Sequence, residues 1–341
     1  MLPVDLPTLE ALVPDVDAAV SRASHIDHFC SSSAWVLSAN AALTPGRELY
    51  CRRGEHGWAL LARRRTGEGA SFLEALEAVW RLACPLVCDG DPGGLARDLL
   101  DDLAAGAPSD VLILSGLVAG SPLFDALIAA LGRRYHVASG VVPATRRFLA
   151  SLDGGVAGFL GRRSSHFRAN LRQAARKAAG AGIRFEPVVV TSDAEARRLH
   201  ARLLAVEAAS WKGQGGHGLM VPEMAAFYRE MLPRLARERP SRLRAQVASL
   251  EGRDVALIVG GVVPTSEGFV YRGLQFSFDD AHRGLSLGNL AQLAQIEELC
   301  REGVALYDLG SEVDYKRRWG ELCRETVTLV AIPRSPRSPA V

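Results

Sequence analysis

Apolar and polar positions change rhythm several times along the chain, and each change predicts an element. Glu48–Cys51 and Trp58–Arg65 bracket Gly54 and Gly57, a pattern that predicts a β-hairpin. Phe72–Trp80 places apolar residues at helical spacing and predicts a helix. Leu82–Cys88 reads as a short strand closed by the turn Asp89-Gly-Asp-Pro-Gly-Gly. A helix over Pro92–Ala105, a buried strand over Asp110–Leu114, a helix over Pro122–Leu131 and a strand over Tyr135–Val141 follow. This alternation is the rhythm of an α/β domain.

A composition shift around Ala150–Gly161 marks a joint. Beyond it the pattern predicts a helix from Ser164 to about Ala179, a strand over Arg184–Val190, and a helix opened by the capping-box sequence Thr191-Ser-Asp-Ala-Glu195. A helix over Pro222–Arg237 precedes three strands, Leu243–Leu250, Asp254–Pro264 and Gly268–Phe276. The helix Leu287–Glu302 then leads into strands Ala305–Leu309 and Thr326–Ile332. The expected organisation is a lobe over 1–155, a second over 156–333 and a disordered tail over 334–341.

Composition narrows the class. At 341 residues, 48% hydrophobic and 23% charged, the chain has the make-up of a soluble globular protein. Its longest apolar runs, such as Val255–Val263, fall far short of a membrane span, and the opening Met1-Leu-Pro-Val-Asp has no secretory pattern. A cytoplasmic location is therefore expected. Six scattered cysteines read as structural thiols. The eight histidines show no metal-ligand spacing and there is no Gly-x-Ser-x-Gly elbow, so no metal is expected and a metalloenzyme or serine hydrolase is disfavoured.

Charge divides unevenly. Residues 1–160 carry a net −5 and residues 161–341 a net +7, so an anionic ligand is expected in the second half. The run 161–184 holds seven basic residues and no acid, with Arg168, Arg172 and Arg176 at spacings that share a helix face. A coenzyme, a carrier protein or tRNA would each match it. Of 40 basic residues only Lys177, Lys212 and Lys316 are lysines. A compact ammonium where arginine is the rule points to a site that uses its shape.

Four segments carry candidate chemistry. Arg283-Gly-Leu-Ser286-Leu287-Gly288-Asn289 stands between a strand and a helix, where small residues leave amides free to hold an anion. Phe167-Arg168-Ala-Asn170-Leu171-Arg172 opens the second lobe, Glu207-Ala-Ala-Ser-Trp211-Lys212-Gly213 follows, and Tyr307-Asp308…Tyr315-Lys316…Trp319 lies near the end. With the Tyr271…Ser286-x-Gly288 segment, the order of these boxes resembles the Fem-like, CelD-type double-GNAT acyltransferases over roughly residues 160–320. The chain departs from that family at Leu287, where proline is usual, and at Ser286, which stands in the first glycine position of the donor loop.

The resemblance implies two tandem GNAT-like lobes, each a mixed sheet flanked by helices, and N-acyl transfer from a thioester to an amine. It implies acyl-coenzyme A or a phosphopantetheinyl carrier protein as donor and an amine-bearing small molecule or peptide as acceptor. Aminoacyl-tRNA as donor, or a catalytically dead binding protein, are the alternatives; tRNA ranks lower because the long charged helical pair of that branch is missing. Phe276, Arg283, Ser286, Leu287, Gly288 and Asn289 are then expected at the donor, and Arg168, Arg172, Trp211 and Lys212 at the substrates. Asp308, at the end of a buried strand, is the first choice of proton acceptor and Glu207 the second, with Tyr315 and Lys316 beside them.

Overall fold

The computed structural model describes residues 1–106, 109–238 and 242–334. The chain forms two compact units, Met1–Arg146 with Glu325–Val341, and Arg147–Arg324. The tail expected over 334–341 lies, from residue 335 on, outside the described residues.

The first unit opens with β1 (Leu2–Val4) and the helices α1 (Leu6–Ala11), α2 (Val13–Arg22), α3 (His28–Ser31) and α4 (Ser33–Ala42). The hairpin follows as β2 (Glu48–Gly54) and β3 (Gly57–Arg65), paired in the register that the two glycines set. Next come β4 (Ser71–Ala75), β5 (Leu86–Cys88), α5 (Pro92–Ala105), β6 (Val111–Leu117), α6 (Pro122–Leu131) and β7 (Tyr135–Ser139). The helix expected over Phe72–Trp80 is instead strand β4 followed by a turn. β4 pairs antiparallel with β3 and parallel with β6, so sheet pairing overrides the local spacing. The buried Glu77 carboxylate then accepts the amides of Trp80, Arg81, Leu82 and Ala83 and fixes the turn.

The second unit begins within β8 (Thr145–Ser151) and continues through α7 (Gly155–Gly161), α8 (Ser165–Gly180), β9 (Arg184–Val188), α9 (Asp193–Ala208), α10 (Trp211–Gln214) and α11 (Pro222–Arg237). Strands β10 (Leu243–Leu250), β11 (Arg253–Thr265) and β12 (Gly268–Phe278) form a meander, and α12 (Leu287–Arg301) leads to β13 (Leu306–Ser311). The last strand, β14 (Leu322–Pro333), pairs from Val327 onward with β6 and β7 of the first unit.

Within the second unit the strand order is β8-β13-β12-β11-β10-β9, with only β12 and β13 parallel. A mixed sheet flanked by helices results: α12 lies along β9–β12 with α8 beside it, while α9 and α11 pack on each other and on the sheet. Tyr271, Tyr307, Phe159, Ile296, Leu299 and Trp319 centre one core. Ala174, Ala178, Ala256, Leu287 and Leu290 tie α8 and α12 to the sheet. Burial of each large apolar side chain there contributes about 1.5–3 kcal/mol.

Candidate active site

The parallel pair β12–β13 shares only three registered positions, Val270↔Leu306, Tyr271↔Tyr307 and Arg272↔Asp308. Beyond them the strands part. A bulge at Val259/Gly260 in the β11–β12 ladder and Gly310, at φ 77°, accompany the parting. Parting leaves strand carbonyls in need of donors. Two of the three lysines meet that need: Lys212 Nζ donates to the Phe276 carbonyl at 3.0 Å, and Lys316 Nζ to the Ser311 carbonyl at 2.8 Å. Across the same opening the Phe276 and Tyr315 rings meet edge to face at 6.1 Å.

Asp308, expected as the proton acceptor, is held inside the fold. It is 2% exposed, and its Oδ2 accepts from the guanidiniums of Arg147 and, at 2.9 Å, Arg272. Its Oδ1 accepts the Gly310 amide at 2.7 Å. Both oxygens are therefore engaged inside a buried ion cluster, and the carboxylate orders the turn after β13 instead of facing a substrate. Neither arginine had been read from the sequence as part of the site. Arg147 lies 161 positions away from Asp308, and no local pattern links them.

Glu207 is equally occupied. It is wholly buried and accepts from Ser277 Oγ, from Gln275 Nε2 at 3.1 and 3.2 Å, and from the Leu219 amide at 3.2 Å. Lys212 Nζ stands 3.4 Å from its Oε2. Burial lowers the Lys212 pKa, and the Glu207 charge opposes that shift. Glu207 and Lys212 thus form a braced pair between α9 and β12. Trp211 beside them is 59% exposed.

Lys316 differs from these groups. No carboxylate lies within ion-pairing distance of it among the described residues. Burial, reinforced by the Arg272 charge and opposed by Asp308, lowers its pKa to about 8. That shift brings its proton exchange nearer to neutrality than that of an ordinary lysine. The neighbouring Tyr315 hydroxyl is pushed up to about 12 by burial.

The loop before α12 runs through a 3-10 turn, Asp280–Leu285, and then Ser286 in the left-handed region at φ 54° and ψ 38°. Ser286 thus adopts the conformation in which glycine is favoured. Among the described residues, the amides of Leu287 and Gly288 have no protein acceptor, while those of Asn289 and Leu290 return to the Ser286 carbonyl. Leu287 is fully buried in the core, so its side chain does not enter the loop's open side. Gly288 is needed for close approach: a Cβ there would lie 2.8 Å from the Phe276 ring. A cleft of about 220 Å³ borders this helix start, lined by Ser286 and Asn289 together with Asn170, Lys177, Arg318 and Trp319. Arg283, expected at the donor, is 80% exposed and only 3.9 Å from Asp280.

The α8 arginines do not line the cleft. Arg168 donates to the carbonyls of Leu160 and Arg163, closing the end of α7. Arg172 and Arg176 are exposed and project roughly 130° round the helix from Asn170 and Lys177, by helical geometry. Of the α8 residues with polar side chains, Asn170, Gln173 and Lys177 line the cleft, while Arg168 and Arg172, expected at the substrate, do not. Among the described residues, no group of three or more His, Cys, Asp or Glu is placed to hold a metal, and no helix is long and apolar enough to cross a membrane.

Residues 165–317 match the acetyltransferase (GNAT) domain family. This segment has the GNAT fold. Among solved structures, FemX is 12% identical, with 93% of this chain and 95% of that one aligned at a TM-score of 0.64. A conserved protein of unknown function from Bacteroides thetaiotaomicron aligns over 94% and 97% at 12% identity and a TM-score of 0.60. L-PGS from Bacillus licheniformis aligns over 99% and 94% at 12% identity and a TM-score of 0.57. At such identities the likeness is one of fold, and it spans nearly the whole chain. No curated protein matches the sequence. Within residues 165–317 the parted strands β12 and β13 and the free amides of α12 lie on successive segments.

Proposed function

We propose that the chain is an N-acyltransferase that moves an acyl group from a thioester to an amine at the β12–β13 opening. The observation that carries this reading is the pair of free α12 amides beside a cleft bearing Lys177 and Arg318, next to the parted strands. Free amides and the helix dipole suit the phosphates of a pantetheine donor. The gap between the strands suits an extended acyl arm.

The amine nitrogen attacks the thioester carbonyl, forming a C–N bond and a tetrahedral oxyanion with a positively charged nitrogen. Backbone groups at the parted edge of β12 stabilise the oxyanion. Neutral Lys316 takes the proton from that nitrogen while still donating to Ser311. The C–S bond then breaks, and the Lys316 ammonium returns the proton to the leaving thiolate. Asp308 with Arg147 and Arg272 holds the β13 turn that positions Lys316, and Glu207 with Lys212 holds the Phe276 side of the opening.

The reading is tested by incubating the full chain with acyl-CoAs of graded chain length and a panel of amines, and recording products by mass spectrometry. An acylated amine and free thiol in equal amounts are expected. A chain that binds the donor but transfers nothing, across the panel, would be a binding protein on a GNAT fold.

A further inference from the structure

Helix α8, Ser165–Gly180, contains three arginine or lysine side chains, Arg172, Arg176 and Lys177, for which the described residues provide no carboxylate, carbonyl or ring partner. Three other cations of the run behave differently, and the seventh, Arg184, lies off the helix at the start of β9. Arg162 and Arg163 pair with Glu321, and Arg168 caps α7. No acid occurs anywhere on α8. A solvated helix face ordinarily mixes both signs, so this face is unbalanced.

What lies between the arginines is as informative. Ala169, Ala175 and Ala179 are all exposed and share the outer face with Arg172 and Arg176. Small residues along a helix allow another helix to approach closely, at about 8 Å between axes. The same face carries no aromatic residue on which a nucleic-acid base could stack. Arg172 and Arg176 sit one turn apart, in register with carboxylates one turn apart on a facing helix. Lys177, next in sequence, turns toward the cleft at α12.

We infer that the outer face of α8 docks an acidic protein helix, that of a carrier protein whose phosphopantetheine arm passes round the Lys177 flank into the α12 cleft. The inference rests on the thioester reading above and names the source of the donor. The arginines supply charge complementarity and the alanines supply shape, while Lys177 marks the path from docking face to cleft.

The test uses the full-length chain and a fluorescently labelled acidic holo acyl carrier protein, with binding followed by anisotropy at low and high salt. Wild type is expected to bind with strong salt dependence. Arg172→Glu with Arg176→Glu is expected to weaken binding about tenfold or more, while Arg172→Lys with Arg176→Lys retains most of it. Arg176→Glu alone should leave turnover of free acyl-CoA unchanged. Equal affinity in the charge-reversed variant, or salt-dependent binding of tRNA but not of the carrier, would overturn the proposal. Carrier binding that depends on these arginines in a chain inert toward every thioester would remove the transferase reading and leave the docking face standing. Transfer from free acyl-CoA with no carrier binding would do the reverse.

Discussion

Lys316 donates from Nζ to the carbonyl of Ser311, 2.8 Å away, and this bond holds the ammonium at the mouth of the parted strands. Lys212 does the same for Phe276 on the opposite strand. Each lysine satisfies a carbonyl that strand pairing has abandoned, but their electrostatic settings differ. Burial presses both toward deprotonation, but at Lys212 the Glu207 carboxylate 3.4 Å away opposes it, whereas at Lys316 the Arg272 charge adds to it. The asymmetry separates a structural ammonium from one able to exchange its proton.

Lys316→Arg keeps a positive charge but cannot lose it in the physiological range. Transfer by Lys316→Arg and by Lys316→Ala should both fall about 10²–10⁴-fold in kcat, with the KM for donor nearly unchanged. Steady-state kinetics with saturating donor decides the matter. Wild-type turnover in Lys316→Arg would mean that charge alone is used there.

Asp308→Asn removes the counter-charge of two buried guanidiniums. The expected outcome is a stability loss of about 3–5 kcal/mol, as for other broken buried pairs, measured by denaturant unfolding. Kinetic loss should follow the fraction unfolded. A stable Asp308→Asn protein with specifically abolished turnover would return Asp308 to the role of proton acceptor.

Gly288 faces the Phe276 ring at a distance where no Cβ fits. Gly288→Ala should therefore displace Phe276 and raise the donor KM, as a charged replacement would, and lower stability by about 1–3 kcal/mol through overpacking. Calorimetric titration with coenzyme A and thermal unfolding, run on both Gly288→Ala and Gly288→Glu, separate shape from charge. A silent alanine with a dead glutamate would assign the effect to repulsion of phosphate.

Ser286 holds a left-handed conformation without the freedom of glycine. Ser286→Gly relieves that strain and should leave donor affinity intact while raising stability by up to about 1 kcal/mol. Ser286→Val should lower it. A loss of donor affinity in Ser286→Gly would show that the hydroxyl itself touches the donor.

Much of the fold was legible where local signals are strong. Proline at the first turn set the starts of α5, α6 and α11, and Gly54 with Gly57 set the hairpin. Phe72–Trp80 was misread because its apolar spacing satisfies a helix while its neighbours in space are strands. The site divided in the same way. The α12 loop is local, so its glycine and its free amides could be read directly. Asp308 and Glu207 stood out as carboxylates, but their partners could not. Arg147, Arg272, Gln275 and Ser277 come from distant positions and carry no motif of their own. Arg168 and Arg172 shared the expected helix with the cleft but not its flank, since the sequence does not show which side of α8 meets α12.

The pH dependence of amine-dependent thiol release from an acyl-CoA tests the central claim most directly. The Lys316 amine must be neutral to accept the proton, so the wild-type rate should rise with pH through about 8 and level above it. In Lys316→Ala the rate should be low and this limb absent, and added small amines should restore part of it. The same shift has a consequence for stability. The unfolded chain keeps this proton up to its ordinary value of 10.5 and the folded chain only to about 8, so Lys316's contribution to stability should increase across that window. Thiol release that is independent of added amine, or a pH profile identical in wild type and Lys316→Ala, would contradict the account.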